Sequence, residues 1–264
     1  MTKSFFSRLS DRSEAINSLL CVGLDPHASE LPEPTASAAE RFCMDIILAT
    51  SQYAAAYKVN SAFFEVFGAE GWAVMERIVA YLKARDIPVI VDCKRGDIGT
   101  TAEAYATAFF HKVGADCVTV NPFMGRDSVE PFLSLGAVFL LCKTSNKGSN
   151  DFQVFESEDG TKLYQKIGKL FCTEENKEKV GLVVGATDID VLADIKRRHE
   201  NFWVLAPGLG SQGADLDAAV RCAGSGKILL PISRGISKNR EYEKNAKAFM
   251  DAINLARVSC SSDY

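Results

Sequence analysis

The chain has 264 residues, of which 47% are hydrophobic and 24% are charged, and its formal net charge is −4 at pH 7. This composition is typical of a soluble globular protein that buries a sizeable core without disulfides or a structural metal. The negative charge argues against a general binder of nucleic acid polymers, which is normally basic. No apolar run approaches the ~18 residues of a membrane span, and the first residues lack a signal-peptide core. We therefore expect a cytoplasmic protein, or a soluble protein of an organelle, that has neither a membrane nor a nucleic acid as partner.

The cysteines and histidines form no recognisable metal or disulfide pattern. The sequence contains eight cysteines and three histidines, and no C-x-x-C pair. Cys21, Cys93, Cys117 and Cys142 lie in apolar runs, where a free thiol behaves as a small hydrophobic side chain. Because the histidines are scattered, their spacing does not indicate a zinc site. We expect reduced, structural thiols and no bound metal.

Eight short apolar runs alternate with longer segments of helical spacing. Their near-continuous apolarity is typical of parallel strands that are covered on both faces. In chain order the predicted strands are 18–25, 53–60, 87–94, 115–122, 137–145, 180–186, 202–208 and 227–233. Eight strand-then-helix units favour an α/β fold, an eight-stranded parallel β/α (TIM) barrel that forms a single domain over residues 1–264. A doubly wound open sheet is the alternative.

Helical periodicity is clear in several intervening segments, among them 35–51, 67–85, 100–113, 188–200 and 239–258. The predicted N-caps of four of these helices are Thr35, Thr100, Asp188 and Asn239. The connection 146–160, after the fifth strand, is long for a compact domain. We expect it to be a functional lid.

Charged residues gather where the predicted strands end, which is where the active site of a parallel barrel lies. Asp92 and Lys94 stand two positions apart and should point to the same side of their strand. Lys58 and Asn60 have the same spacing on the preceding strand. Because buried charges need partners, we expect lysines and carboxylates to alternate here and the lysines to stay protonated. Such a cluster suits stabilisation and protonation of a carbanion; a structural ion pair at the strand end is the alternative.

Two glycine-containing loops follow the seventh and eighth strands. Loops at these positions of a β/α barrel often bind phosphate through backbone N–H groups and a helix N-terminus. Gly208, Gly210 and Gly213 would let the backbone approach an anion, and Arg234 offers a bidentate guanidinium. The alternative is a turn beside a surface arginine. Lys143, near the end of the fifth strand, faces either the site or the solvent.

These residues resemble the orotidine 5′-monophosphate decarboxylase family, and the resemblance covers nearly the whole chain. Its most specific part is the run V-D-C-K-R-G-D-I-G-T-T, from Val91 to Thr101. The segments 57–60 and 207–213 stand at the expected places, and the forms G-L-D-P and K-T-S-N are similar to a branch found in many bacteria and some protozoa. The resemblance implies decarboxylation of orotidine 5′-monophosphate (OMP) to UMP, the last step of de novo pyrimidine synthesis. It implies neither a metal nor an organic cofactor.

The resemblance also implies a role for each matching residue. The catalytic residues would be Lys58, Asp92, Lys94 and Asp97. The substrate-binding residues would be Asp25, Asn60, Ile98, Thr101, Thr144, Ser145, Pro207, Gln212, Ser233 and Arg234. Lys94 would deliver a proton to carbon 6 of the pyrimidine, beside Asp92, which would face the substrate carboxylate.

Within this set, Asp25, Lys58 and Asn60 would bind the ribose hydroxyls. Gln212 and Arg234 would hold the phosphate. Either Thr144 or Ser145 would supply the hydroxyl that meets the pyrimidine. In this family Asp97, Ile98 and Thr101 reach into the neighbouring subunit's site, which implies a homodimer with shared active sites.

Two other functions fit these residues. A related sugar-phosphate enzyme shares the D-x-K-x-x-D frame but uses a divalent metal, so inhibition by EDTA would distinguish it. A catalytically silent nucleotide-binding protein would bind UMP without turning over OMP. The set of Asp92, Lys94 and Asp97 argues against a silent binder, because binding alone does not need so costly a cluster of charges.

Overall fold

The computed structural model describes residues 3–209, 215–223 and 226–261. Its eight parallel strands form a closed barrel in chain order, and β1 pairs with β8 to complete the ring. The strands are β1 Leu20–Leu24, β2 Ala56–Asn60, β3 Val89–Arg95, β4 Cys117–Val120, β5 Ala137–Lys143, β6 Val180–Val184, β7 Val204–Leu205 and β8 Ile228–Ile232. The predicted parallel barrel is confirmed and the open sheet is wrong. Each strand lies within its predicted range except β3, which continues to Arg95.

Helices surround the barrel. They are α1 Phe5–Ala15, α2 Ala36–Thr50, α3 Ala62–Glu65, α4 Gly68–Lys83, α5 Gly99–Thr107, α6 Arg126–Leu135, α7 Leu163–Phe171, α8 Ile189–Arg198, α9 Leu216–Ala223, α10 Arg234–Ser237 and α11 Tyr242–Ser261. A π-helix, Ala108–Val113, continues α5, and short 3-10 helices span Ala28–Glu30, Pro122–Met124, Lys147–Asp151, Glu174–Asn176 and Lys238–Arg240. None of the helices in the described part of the chain is long and apolar enough to cross a membrane.

Two of the predicted helix caps are confirmed. The hydroxyl of Thr35 accepts a hydrogen bond from the backbone N–H of Ala38, at 3.2 Å. The carboxylate of Asp188 accepts one from the N–H of Val191, at 3.3 Å. Each cap therefore satisfies one of the N–H groups that have no partner within the first turn of a helix.

The other two predicted caps are wrong. Thr100 lies inside α5, which already begins at Gly99, and the extended N-cap residue is Ile98. Asn239 has a φ of +56° and lies in a 3-10 segment, whereas α11 begins only at Tyr242. An N-cap needs an extended backbone, so a residue in the left-handed region does not serve as one.

The first helix closes the barrel at the N-terminal ends of the strands. Phe5 and Phe6 of α1 are buried, and the Phe6 ring meets Phe139 of β5 edge-on, with 5.4 Å between centroids. Gly181 on the adjacent β6 leaves room for that ring, since a Cβ at this position would lie 2.5 Å from Phe139 Cε1. Aromatic packing thus fills this end, and polar side chains collect at the other.

The long connection after β5 folds back onto the strand end. Gln153 Oε1 accepts a hydrogen bond from the backbone N–H of Thr144, at 2.7 Å. Further along, Glu156 and Lys162 form an antiparallel bridge. The connection is therefore an ordered structure packed beside the end of β5; its role as a lid stays a prediction.

Candidate active site

A cavity of about 380 Å³ opens at the carboxyl ends of the strands. Each of the eight strands, or the residues directly after it, contributes to its wall. The predicted site residues that line it are Asp25, Lys58, Asn60, Asp92, Lys94, Thr144, Ser145, Pro207, Ser233 and Arg234. The fold therefore brings together residues that are as far apart in the sequence as Asp25 and Arg234, on the face where barrel enzymes carry their chemistry.

Two carboxylates and two lysines alternate along one side of the cavity. Lys58 Nζ lies 2.9 Å from Asp92 Oδ2 and 3.8 Å from Asp25 Oδ1. Lys94 Nζ donates to Asp92 Oδ1 at 2.6 Å. Strand register sets this order, because Asn60 at the end of β2 is the partner of Asp92 on β3. The expected alternation of carboxylate and ammonium groups is therefore present within a single chain, in the order Asp25, Lys58, Asp92, Lys94.

Burial and charge act in opposite directions on this cluster. Burial disfavours the ammonium form of Lys58, but the carboxylates of Asp25 and Asp92 outweigh that effect and raise its pKa. Burial likewise disfavours the ionised form of Asp92, yet Lys58 and Lys94 hold its pKa well below the ordinary range. Both groups are therefore charged at neutral pH. The Lys94 side chain is 49% exposed and so is open to the cavity.

The register between β3 and β4 slips at this cluster. Val91 pairs with Val118 and Arg95 pairs with Val120, so residues 92–94 of β3 face one residue of β4. This irregularity is a bulge, a feature that often re-aims side chains next to active sites. Lys94 has a φ of +46°, which is uncommon for a residue with a Cβ.

Sequence reasoning did not select several residues of the cavity wall, among them His27, Phe63 and Thr119. The rings of His27 and Phe63 pack at 4.3 Å between centroids. Their nearness to the strand-end residues Asp25 and Asn60 was the signal that could have found them. Thr119 lies in the fourth predicted strand, two positions before Asn121. No local sequence pattern distinguishes it from the other residues of that strand.

The end of β5 presents two neighbouring hydroxyls to the cavity. Thr144 Oγ1 donates to Asn146 Oδ1 at 2.6 Å and accepts from Gln153 Nε2 at 3.0 Å. Among the described residues, no hydrogen-bond partner occurs for the hydroxyl of Ser145. Gly185, after β6, lies against the Ser145 backbone, since a Cβ there would approach Ser145 Cα to 2.7 Å.

Lys143 faces neither the cavity nor the solvent. It is 2% exposed, and its Nζ donates to Ser149 Oγ at 2.5 Å and lies 3.5 Å from Asp188 Oδ2. Both alternatives considered for this residue are therefore wrong. Lys143 instead joins the connection after β5 to the first turn of α8.

Four predicted site residues are not placed in the cavity wall. Asp97, Ile98 and Thr101 are not part of the lining that the structure describes. Asp97 Oδ1 accepts the backbone N–H of Ile98 at 2.8 Å, and the Ile98 side chain is 56% exposed. Gln212 lies outside the described residues.

Within residues 3–209, 215–223 and 226–261, no group of three or more His, Cys, Asp or Glu side chains is arranged to hold a metal ion. The expectation of a reaction without metal or organic cofactor stays a prediction.

Residues 18–249 match the model of the "Orotidine 5'-phosphate decarboxylase / HUMPS family". The chain is 42% identical to an orotidine 5'-phosphate decarboxylase of Roseiflexus castenholzii over 96% of this chain and 98% of that one. A crystal structure of a Toxoplasma gondii protein named as an orotidine-monophosphate-decarboxylase is 41% identical, covers 99% of both chains and has a TM-score of 0.93. A Leishmania donovani OMP decarboxylase is 43% identical, with a TM-score of 0.87 and coverage of 97% of this chain and 99% of that one. A match of this extent, on a barrel with this charged cavity, shows that the chain belongs to the orotidine 5'-phosphate decarboxylase / HUMPS family.

Proposed function

We propose that this enzyme decarboxylates OMP to UMP, the last step of de novo pyrimidine synthesis. The observation that carries the proposal is the row of alternating charges made by Asp25, Lys58, Asp92 and Lys94 at the mouth of the cavity. The relatives named above as OMP decarboxylases support the choice of this substrate within the family.

Loss of carbon dioxide from OMP leaves an electron pair on carbon 6 of the pyrimidine, with no adjacent carbonyl to accept it. In the proposed step the bond from carbon 6 to the carboxylate breaks, and a proton from Lys94 Nζ forms the new bond to carbon 6. Asp92 stays ionised and keeps Lys94 in place, and Lys94 regains its proton from solvent. A preorganised cation at the position where negative charge develops is the kind of group that contributes most to such a reaction.

Asp25 is suited to bind a ribose hydroxyl. Its Oδ1 is buried and, among the described residues, has no hydrogen-bond partner, and the nearest ammonium, that of Lys58, lies 3.8 Å away. A buried acceptor without a partner is costly, and a donor from the substrate would satisfy it. We assign the ribose to Asp25, Lys58 and Asn60.

Ser145 is the better candidate for the pyrimidine. The hydroxyl of Thr144 already takes part in hydrogen bonds with Asn146 and Gln153. No described residue occupies the Ser145 hydroxyl, so it is free to bond a polar edge of the base. Thr144 would then hold the loop and Ser145 would contact the substrate.

The phosphate would bind at the ends of β7 and β8. Pro207, Gly208, Ser233 and Arg234 line the cavity there, and Gly208 has a φ of +118°, which brings its backbone into a conformation that few other residues adopt. Gln212 is proposed as a further ligand from the resemblance alone. Binding energy at the phosphate, remote from carbon 6, would help to order the site for the chemical step.

The active unit is proposed to be a homodimer with shared sites. Asp97, Ile98 and Thr101 would complete the partner's site rather than their own, which accounts for their position outside the cavity of a single chain. Three large apolar side chains that follow β3 and β4 are exposed: Ile98 at 56%, Phe123 at 78% and Met124 at 47%. They follow two adjacent strands, and contiguous exposed apolar surface is typical of a protein interface.

We propose further that residues 1–264 act as one domain and that the enzyme works in the cytoplasm. All seven cysteines whose side chains the structure describes are free thiols, which suits a reducing compartment.

The test is an ultraviolet assay of OMP turnover with EDTA present throughout, on the wild type and Lys94→Ala. The wild type should produce UMP, and the variant should lose at least about a thousandfold in kcat, because both the cation and the proton donor are removed. A folded, dimeric wild type without turnover would refute the proposal and favour a magnesium-dependent reaction on a sugar phosphate. Near-normal turnover by Lys94→Ala would refute the role of the lysine.

A further inference from the structure

Thr119 of β4 faces the whole bulged segment of β3. Because of the register slip, Asp92, Cys93 and Lys94 lie opposite this single residue. Thr119 is 1% exposed, and it contacts each of the three: its hydroxyl bonds Asp92 and Lys94, and its carbonyl accepts from Cys93 Sγ at 3.5 Å. One buried side chain thus touches the strand segment that carries the proposed proton donor.

The direction of each hydrogen bond at the Thr119 hydroxyl is fixed by chemistry. The backbone N–H of Lys94 donates to Oγ1 at 2.9 Å, since an amide nitrogen has no acceptor capacity. Oγ1 donates its single proton to Asp92 Oδ1 at 2.9 Å, since an ionised carboxylate only accepts. The hydroxyl therefore has no alternative orientation that keeps both bonds.

These bonds close a ring through the two charged side chains. Asp92 Oδ1 accepts from Thr119 Oγ1 and also from Lys94 Nζ at 2.6 Å, while the backbone N–H of Lys94 returns to Thr119. Lys94 holds a left-handed backbone, with a φ of +46°, which persists only where neighbouring groups determine it. The bond from its N–H to Thr119 is such a constraint, and it ties the backbone of Lys94 to the carboxylate that its ammonium contacts.

We propose that Thr119 is a positioning residue for this enzyme. It sets the Asp92 carboxylate and the Lys94 backbone relative to each other, and so places the Lys94 ammonium where it meets carbon 6. The kinetic part of this inference rests on the proposed function. The backbone part does not, because the Lys94 N–H is observable without turnover.

The test compares Thr119→Val, which removes the hydroxyl at nearly constant shape, with Thr119→Ser, which keeps it. Thr50→Val is the matched control, because Thr50 is also fully buried and its hydroxyl donates to Ile46 O at 2.7 Å, outside the cavity wall. Thr119→Val should lower kcat by about ten- to a hundredfold, as expected for a displaced reacting group, with KM within about twofold of the wild type. Thr119→Ser should keep kcat within about threefold, and Thr50→Val should leave kcat unchanged even where it lowers the melting temperature.

A second readout follows the Lys94 amide by hydrogen exchange. Thr119→Val should speed its exchange at least about tenfold relative to the wild type, whereas Thr119→Ser and Thr50→Val should not. Unchanged exchange in Thr119→Val would overturn the inference. So would a kcat within twofold of the wild type, or an equal loss in the serine and valine variants. A wild type without OMP turnover would instead refute the proposed function, and the exchange rates would still decide the backbone role of Thr119.

Discussion

Asp92 is a buried carboxylate held between two ammonium groups, so its charge affects stability as well as chemistry. Lys58 and Lys94 lower its pKa below the value of an unfolded chain, about 3.9. A group whose pKa is lowered by folding stabilises the native state above the unfolded pKa, and this stabilisation is lost as the pH falls toward the folded pKa. Asp92→Asn should therefore lower the free energy of unfolding by about 3 kcal/mol at neutral pH, since two cations lose their partner.

The measurement is urea unfolding of both proteins from pH 7 downward. The difference between wild type and Asp92→Asn should shrink as the pH falls below about 4, because Asp92 then binds a proton in the unfolded chain while it stays ionised in the folded one, which favours unfolding of the wild type. Asp45→Asn, at an exposed position of α2, is the control and should change the free energy of unfolding by less than about 0.5 kcal/mol. A difference that stayed constant down to acid pH would contradict the charge argument.

The sequence predicted that charged side chains would gather in this cluster. It did not predict the hydrogen bonds that Thr119 makes within the cluster. Asp92 and Lys94 could be paired from strand parity and from the need of buried charges for partners. The contact of Thr119 with both depends on a register slip between β3 and β4, which no pattern within either strand encodes. Lys143 looked equally able to face the site or the solvent, because its partner Ser149 belongs to a connection whose path the sequence leaves open.

At the scale of elements, the end of β6 supports the end of β5. Gly185 lies so close to Ser145 that a Cβ would stand 2.7 Å from its Cα. Gly185→Ala should therefore displace the Ser145 backbone and lower kcat/KM for OMP by at least about tenfold, because small misplacements of binding groups are costly. Gly148→Ala is the matched control, since a Cβ there would approach no atom closer than 3.4 Å, and it should stay within about twofold. Equal activity of the two variants would show that Ser145 tolerates the shift.

The strands were predictable because burial on both faces leaves a continuous apolar run, which length and flanking residues identify. Helix starts were less predictable. Thr35 and Asp188 act as caps as expected, but Gly99 begins α5 before Thr100, and Asn239 takes a left-handed backbone ahead of α11. Cap residues are common in turns as well, so a suitable side chain alone does not fix where a helix begins.

At the scale of the whole molecule, shared active sites would make two defective chains complementary. Consider a mixed dimer of one Lys94→Ala chain and one Asp97→Asn chain. The Asp97→Asn chain keeps its Lys94, and its site would receive an intact Asp97 from the Lys94→Ala chain. Random mixing makes about half of the dimers mixed, each with one intact site of two, so about a quarter of wild-type activity should return. The measurement is OMP turnover after the inactive variants are unfolded and refolded together.

Lys94→Ala mixed with Asp92→Asn is the control, because both changes fall on residues that lie in contact within one chain. Each site of that mixed dimer stays defective, and no activity should return. Recovery in the control, or none in the test pair, would argue that each chain builds its own site.

The pairing of β1 with β8 has a consequence for how the protein is made. β1 ends near residue 24 and its partner on one side begins at residue 228, so the ribosome synthesises almost the entire chain before the ring can close. Until then both β1 and the most recent strand have an unpaired edge, which is the feature through which nascent chains aggregate. Contacts so distant in sequence also slow folding. Asp25 follows β1 and Arg234 follows β8, so the two residues line the same cavity only after β1 and β8 have paired. Enzymatic activity therefore reports completion of the barrel.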